Sequence, residues 1–372
     1  MPRGAERRSS GSVADGLAQR LAQLIRHGGL IPVSRFMAEA NAHYYAMRDP
    51  FGVAGDFTTA PEISQMFGEL IGLWCGAVWL ALGRPANFVL AELGPGRGTL
   101  MADALRAAKV VPGFREAASL HLVESSPLLR ERQRGALSAF RPTWHETIGT
   151  LPDGPLILVA NEFFDALPIY QFVRGARGWH ECLIGLAPDG TFQFVAAPDG
   201  FSEPPGRVSA ASDLPEGAFV EVCPAAEAIV DALAQRIVHS RGAALIIDYG
   251  SAEPRAAAAH GTLQAVRGHR YHAPLATPGE ADLTAHVDFR ALKQIVEAAG
   301  ARALGPVAQG VLLRRLGIEQ RATALSAKAT AEQSATLAAA RRRLTDDDAM
   351  GTLFQALAIV DPISPTPPGF ES

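Results

Sequence analysis

Gly94, Gly96 and Gly98 stand at alternate positions in the stretch "ELGPGRGT" (92–99), directly after the apolar run Phe88-Val89-Leu90-Ala91. A strand, a tight glycine turn and a helix together present backbone N–H groups and a positive helix end to a polar ligand. A dinucleotide fingerprint carries its third glycine one place further on, where this chain has Thr99. The spacing therefore speaks against a pyrophosphate. It leaves a turn that passes under a nucleoside and a carboxylate, or a purely structural turn.

The next strand ends "HLVES", with Glu124 at its carboxyl tip and Ser125 after it. A carboxylate there has two acceptor oxygens and can take both hydroxyls of a ribose. Glu92, just before the turn, can hold an amino group, since an unpaired acid at a buried strand end is costly. Glu92, Gly94, Pro95, Gly96, Gly98, Glu124 and Ser125 thus form a candidate cofactor set. The cofactor they suit bears a nucleoside without a pyrophosphate, and S-adenosylmethionine is the obvious candidate.

A later strand ends "VANEFFDALP", which puts Asn161, Glu162, Phe163 and Asp165 at the same edge of an open sheet. Two carboxylates among phenylalanines suit a flat cation such as a guanidinium, held bidentately and covered by a ring. Glu162 and Asp165 are the candidate catalytic pair, orienting the acceptor and taking up its proton. The competing reading of the segment is a capped helix start. Asp248 and Tyr249, ending "LIIDYG", and Asp282 and His286, in "EADLTAHVDF", are candidate substrate contacts or structural residues. His269 and His272 have no matched carboxylates or cysteines, so no metal site is expected.

Short strands alternating with helices must hold these residues: strand 88–93, helix 98–109, strand 119–124, helix 126–139 and strand 156–161. That alternation predicts a parallel sheet with helices on both faces. Residues 12–28 and 32–46 have helical spacing, and Thr59, Pro61 and Glu62 read as a helix start with a capping box. The run Leu70–Leu82 reads as a buried helix, too short to span a bilayer. Three alternating runs over 169–198 predict inserted antiparallel strands, and 198–217 reads as a surface loop. A strand at 219–223, a helix at 225–240 and a strand at 243–250 are expected to resume the main sheet. A long loop follows over 251–282, then a helix at 289–299 capped by Asp288, Ala-rich helices over 318–344 and a Pro-rich tail. The resulting division is 1–84, 85–168, 169–217, 218–316 and 317–372.

Of the 372 residues 48% are hydrophobic, enough for a large core, and the net charge of −4 gives no nucleic-acid footprint. Three cysteines without a CxxC pair argue against disulfides and fit a reducing compartment. The Arg- and Ser-rich start "MPRGAERRSSGS" lacks an apolar signal core and reads as a tail on a cytosolic protein.

Several segments make the sequence similar to the MidA-type methyltransferases, relatives of a mitochondrial complex I assembly factor. They are "GDFTTAPEISQMFGELIGLW" (55–74), "ELGPGRGTLMADALR" (92–106), "HLVESSPLLRERQ" (121–133), "NEFFDALPIYQF" (161–172), "DYG" (248–250) and "DLTAHVDF" (282–289). The resemblance implies a Rossmann-like class I S-adenosylmethionine-dependent fold with an N-terminal helical extension and inserted strands. It implies symmetric dimethylation of a protein arginine, coupled to assembly of NADH:quinone oxidoreductase. By position it assigns the three glycines and Glu124 to the cofactor and "NEFFDALP" to the acceptor side. It sets Asp56, Thr58 and Thr59 in a signature that closes over the cofactor. Ser251 stands where the family pattern leads one to expect His. The Ala- and Arg-rich composition reads as bacterial, which points to the cytoplasm, against the mitochondrial matrix for eukaryotic relatives. No membrane insertion and no nucleic-acid partner are expected. A nicotinamide-dependent oxidoreductase, a non-catalytic assembly chaperone and a methyltransferase with a non-arginine acceptor are the other readings.

Overall fold

The computed structural model describes residues 11–47, 58–201, 214–252 and 261–371. The chain divides into two compact units. The larger carries a central sheet of strands β1 (Phe88–Leu93), β2 (Ala118–Val123), β3 (Thr143–His145), β4 (Leu156–Asn161), β5 (Gly242–Ser251), β6 (Arg302–Ala308) and β7 (Phe354–Val360). Their order is β6-β7-β5-β4-β1-β2-β3, and Val287–Asp288 pairs with the end of β5. β1 to β5 run parallel, whereas β7 is antiparallel to both neighbours. The expected parallel sheet is therefore mixed at one edge.

Apolar residues fall on alternate sides of the strands, as period-two geometry requires. Phe88, Leu90, Ile157, Val159, Leu245 and Ile247 share one core with Phe67, Ile71, Trp74 and Leu100. The helix Gln65–Ala81 confirms the buried apolar run, and Cys75 inside it is core, its thiol pushed up to about 12 by burial and by Glu92. Gly72 lets this helix lie against Thr99–Ala107, because a Cβ there would stand 2.3 Å from the Ala104 carbonyl oxygen. Helices Pro224–Ser240 and Phe289–Ala298 pack on β5 and β7. Asp288 caps the second of these through Ala291 N–H at 2.9 Å, as expected.

The smaller unit is assembled from distant parts of the chain. Its larger sheet runs Ile31–Pro32, Gly178–Leu186, Tyr170–Gly175, Phe219–Val222, with Phe192–Phe201 also on Gly178–Leu186. The antiparallel strands expected over 169–198 are present. Phe219–Val222 departs from expectation: it pairs with Tyr170–Gly175 in this sheet, with Phe172 opposite Val220, rather than resuming the main one. Its antiparallel register continues the hairpin pattern, and the helix beginning at Pro224 returns the chain to the larger unit. The segment read as one loop over 251–282 instead holds Gln264–Arg267 and Arg270–His272, which form a three-stranded sheet with Asp282–Thr284. Helices Gly11–Gly28 and Val33–Met47 belong to this unit. Asn41 ties the second of them in, donating to Leu283 O at 2.8 Å and Ala166 O at 3.0 Å and accepting from Leu283 N at 3.0 Å. The N-terminal tail, most of the expected 198–217 loop and the Ala-rich run after Ser251 lie outside the described residues. Among the described residues no helix is long and apolar enough to cross a membrane.

Candidate functional site

From β1 the chain proceeds to β2 on one side, while β4 lies on the other. Such a reversal opens a crevice at the carboxyl ends of the strands. A crevice of about 370 Å³ lies there, with three walls. Gly94–Arg97 with Thr99 form one, Asn161 and Glu162 the second, and Thr59, Pro61 and Glu62 the third, with Glu92 also reaching it.

Gly94, Gly96 and Gly98 all have positive φ, at 59°, 53° and 83°, so the turn needs glycine for its backbone. Gly98 N–H closes it on Pro95 O at 2.7 Å, and Gly94 N–H donates to Val123 O at 3.0 Å. A Cβ on Gly94 would come within 2.8 Å of the Phe163 ring. The glycine turn and the segment at 161–165 thus touch directly, which no local sequence pattern announces.

Glu124 is nearly buried just beyond β2. Its Oε1 accepts from Ser126 N at 2.8 Å and its Oε2 from Gln133 Nε2 at 3.2 Å. The Gln133 amide also donates to Gly96 O at 2.7 Å, and its oxygen accepts from Trp144 Nε1 at 2.8 Å. Gln133 therefore fixes the glycine turn to Glu124, a positioning role that the sequence reading missed. Its signal was the position on the helix Pro127–Ala136 two turns after Glu124. Ser125 is exposed beside the acid, and Ser126 rather than Ser125 caps that helix.

Glu92 is 3% exposed and its Oε2 has no hydrogen-bond partner. Burial and the Glu124 charge push its carboxyl up to about 8. Asn161 Oδ1 is likewise buried without a partner in the opposite wall. Buried polar atoms of this kind require partners, and here the crevice is where a ligand amine or hydroxyl can supply them. These acceptors fit a nucleoside with an amino-acid tail.

Glu162 stands at φ 52°, a left-handed conformation unusual for a residue with a side chain. Its Oε1 accepts from Ala60 N at 2.9 Å and Asn161 Nδ2 at 3.0 Å. Burial raises its carboxyl above the usual range, opposed by those two donors and by the Arg343 charge. Asp165 does not line the crevice; its N–H instead joins those of Phe163 and Phe164 on Asp248.

Asp248, read from the sequence as either a substrate contact or a structural residue, is fully buried and takes the structural part. Its Oδ2 accepts from the N–H groups of Phe163 (3.1 Å), Phe164 (2.8 Å) and Asp165 (3.3 Å), and its Oδ1 from Tyr249 (2.8 Å). Burial raises its carboxyl while these N–H groups oppose the rise. It holds the turn that sets Glu162 in place. Asp248→Ala leaves the group of donors unanswered and is expected to cost about 3–5 kcal/mol, read by urea denaturation at pH 7.

Tyr249 packs edge-on against His286, ring centroids 4.0 Å apart, and against Phe354. Asp282 lies buried in the three-stranded sheet of the smaller unit. Asp56 lies outside the described residues, and Thr58 is the first one described after that gap. Thr59 lines the crevice, but the expected capping box is absent. The Thr59 side chain makes no capping bond, and Glu62 turns away to accept from Thr99 Oγ1 at 2.5 Å, with Arg97 Nη1 at 3.4 Å. The helix stops at Ile63, and Ser64 caps the next one through Met66 N. The Glu62 carboxylate beside the first residue of Thr99–Ala107 adds negative charge where a diphosphate would need to sit.

Residues 70–307 match a family model described as "Putative S-adenosyl-L-methionine-dependent methyltransferase". The chain is 36% identical to "Protein arginine methyltransferase NDUFAF7, mitochondrial" of Danio rerio, over 95% of its own length and 89% of the relative's. It is 37% identical to the Drosophila melanogaster homologue of that protein, over 92% and 84%. A superfamily member from Burkholderia thailandensis, crystallised with S-adenosyl-homocysteine bound, superposes with a TM-score of 0.80 at 28% identity, covering 98% of this chain and 96% of the other. The fold is the Rossmann-like class I arrangement, and the cofactor of these proteins matches the acceptor oxygens in the crevice.

Proposed function

This chain belongs to the methyltransferase family whose model it matches, and we propose that its acceptor is an arginine of a protein, a subunit of NADH:quinone oxidoreductase, dimethylated symmetrically. The observation that carries the acceptor reading is Glu162: a strained, buried carboxylate in the same crevice as the glycine turn and Glu92. The names of the relatives as protein arginine methyltransferases support it. The identity of the target complex rests on the family resemblance.

S-adenosylmethionine, when bound, supplies the methyl group and a good leaving group, so the protein needs no nucleophile of its own. Glu124 holds the ribose hydroxyls, the turn at Gly94, Pro95, Gly96 and Gly98 passes beneath, and Glu92 takes the amino group. Thr59 borders the cofactor, and the family resemblance assigns Thr58 and Asp56 of the same motif to it as well. Glu162 orients the guanidinium and accepts the proton that its nitrogen sheds as the N–C bond forms. A carboxyl raised above the usual glutamate range suits that task. Phe163 covers the planar cation, while Asp165, outside the crevice lining, serves the turn through its N–H on Asp248. Tyr249 and His286 are assigned to the approach of the protein substrate, whereas Asp282, buried in the smaller unit, is left a structural role. The Ala- and Arg-rich composition supports a bacterial cytoplasmic location.

The test is incubation of the purified chain with methyl-tritiated S-adenosylmethionine and the separated subunits of NADH:quinone oxidoreductase. Label recovered as symmetric dimethylarginine in one subunit is expected. Label in another amino acid overturns the arginine acceptor, and no label despite cofactor binding favours an assembly chaperone.

A further inference from the structure

The wall of the crevice formed by residues 59–63 is fastened to both other walls. On the strand-end side, Ala60 N–H donates to Glu162 Oε1 at 2.9 Å. On the turn side, Glu62 Oε1 takes the Thr99 hydroxyl at 2.5 Å and Glu62 Oε2 lies 3.4 Å from Arg97 Nη1. Within the wall, Thr59 O accepts the N–H groups of Glu62 at 2.9 Å and Ile63 at 3.2 Å, so the segment is one compact turn. Glu62 is only 17% exposed at its side chain, and its bond from Thr99 is short and charge-assisted. Thr99 occupies the place that a glycine takes in a dinucleotide turn and uses its hydroxyl for this contact.

We propose that Glu62, acting through Thr99 and Arg97, is a positioning residue that latches residues 59–63 against the glycine turn and so sets how long the nucleoside cofactor stays in the crevice. Parting the turn side of these walls requires breaking the Glu62 bonds. The inference rests on the crevice being the cofactor site. It is separate from the acceptor chemistry of Glu162, because Glu162 fastens the opposite side.

The experiment measures dissociation of S-adenosylhomocysteine from the immobilised full chain by surface plasmon resonance. Glu62→Ala and Thr99→Val are each expected to speed release about tenfold, and the double variant no more than the larger single effect, because both remove one shared bond. Unchanged release in both single variants overturns the latch, as do effects that multiply. Thr99→Val is nearly isosteric and keeps the test decisive should Glu62→Ala fail to fold. Failure of the parent chain to bind S-adenosylhomocysteine at all would instead overturn the cofactor reading beneath it.

Discussion

Glu162→Gln is expected to lower the rate of methyl transfer by about 10²–10⁴-fold while leaving affinity for S-adenosylhomocysteine within about threefold. The amide oxygen of Gln can still accept from Ala60 N–H and Asn161 Nδ2, so the second wall keeps its shape. What is lost is the negative charge facing the acceptor cation and the ability to take its proton. The sign of the pH dependence follows from the raised carboxyl, which must be ionised to act. The parent enzyme therefore gains activity as pH rises through a value above the ordinary glutamate range, and the variant lacks that limb. Full turnover in Glu162→Gln would remove the catalytic role.

Gly94→Ala is expected to weaken binding of S-adenosylhomocysteine by about 100-fold or more, measured by calorimetric titration. Two costs coincide at this position. A left-handed φ of 59° disfavours any residue with a Cβ by about 1–2 kcal/mol. The new methyl also meets the Phe163 ring at 2.8 Å, so either the turn or the acceptor-side segment must move. Both movements spoil the crevice, and displacement of Phe163 carries Glu162 with it. The variant is expected to lose transfer as well as binding, whereas Glu162→Gln separates them. Near-normal affinity in Gly94→Ala would show that the turn does not carry the cofactor.

The parts of this site that were legible in the sequence are those fixed by local chain geometry. The glycine turn, Glu124 and the Asn161-Glu162 strand end each follow a short apolar run, and a parallel sheet necessarily gathers such ends at one edge. Residues whose partners are remote in sequence were misjudged. Asp248 looked like a crevice residue by its strand-end position, yet its bonds reach back more than eighty residues to the turn at 163–165. Glu62 fitted a capping box by spacing, but the stronger donors were Thr99 and Arg97, more than thirty residues on. Gln133 closes the segment "HLVESSPLLRERQ", but its three bonds became visible only once the helix was packed beside the turn.

The same distinction governs the fold. Alternating strands and helices from residue 88 onward were readable because each unit is local. The strand Phe219–Val222 joined a different sheet from the one expected, since strand pairing depends on which edge is open rather than on sequence order. The strand pair at Arg302–Ala308 and Phe354–Val360 is interrupted by intervening helices and gave no hairpin signal. Asn41 binds residues more than two hundred positions away, a tie that no periodicity can forecast.

The measurement that bears most directly on the central claim is calorimetric titration of the purified full chain with S-adenosylhomocysteine and, separately, with NAD. Saturable one-to-one binding of S-adenosylhomocysteine and none of NAD is the predicted result, because the orphaned carboxylate oxygen of Glu92 awaits an amine and the Glu62 charge opposes a diphosphate. Binding of NAD in place of S-adenosylhomocysteine would contradict the account.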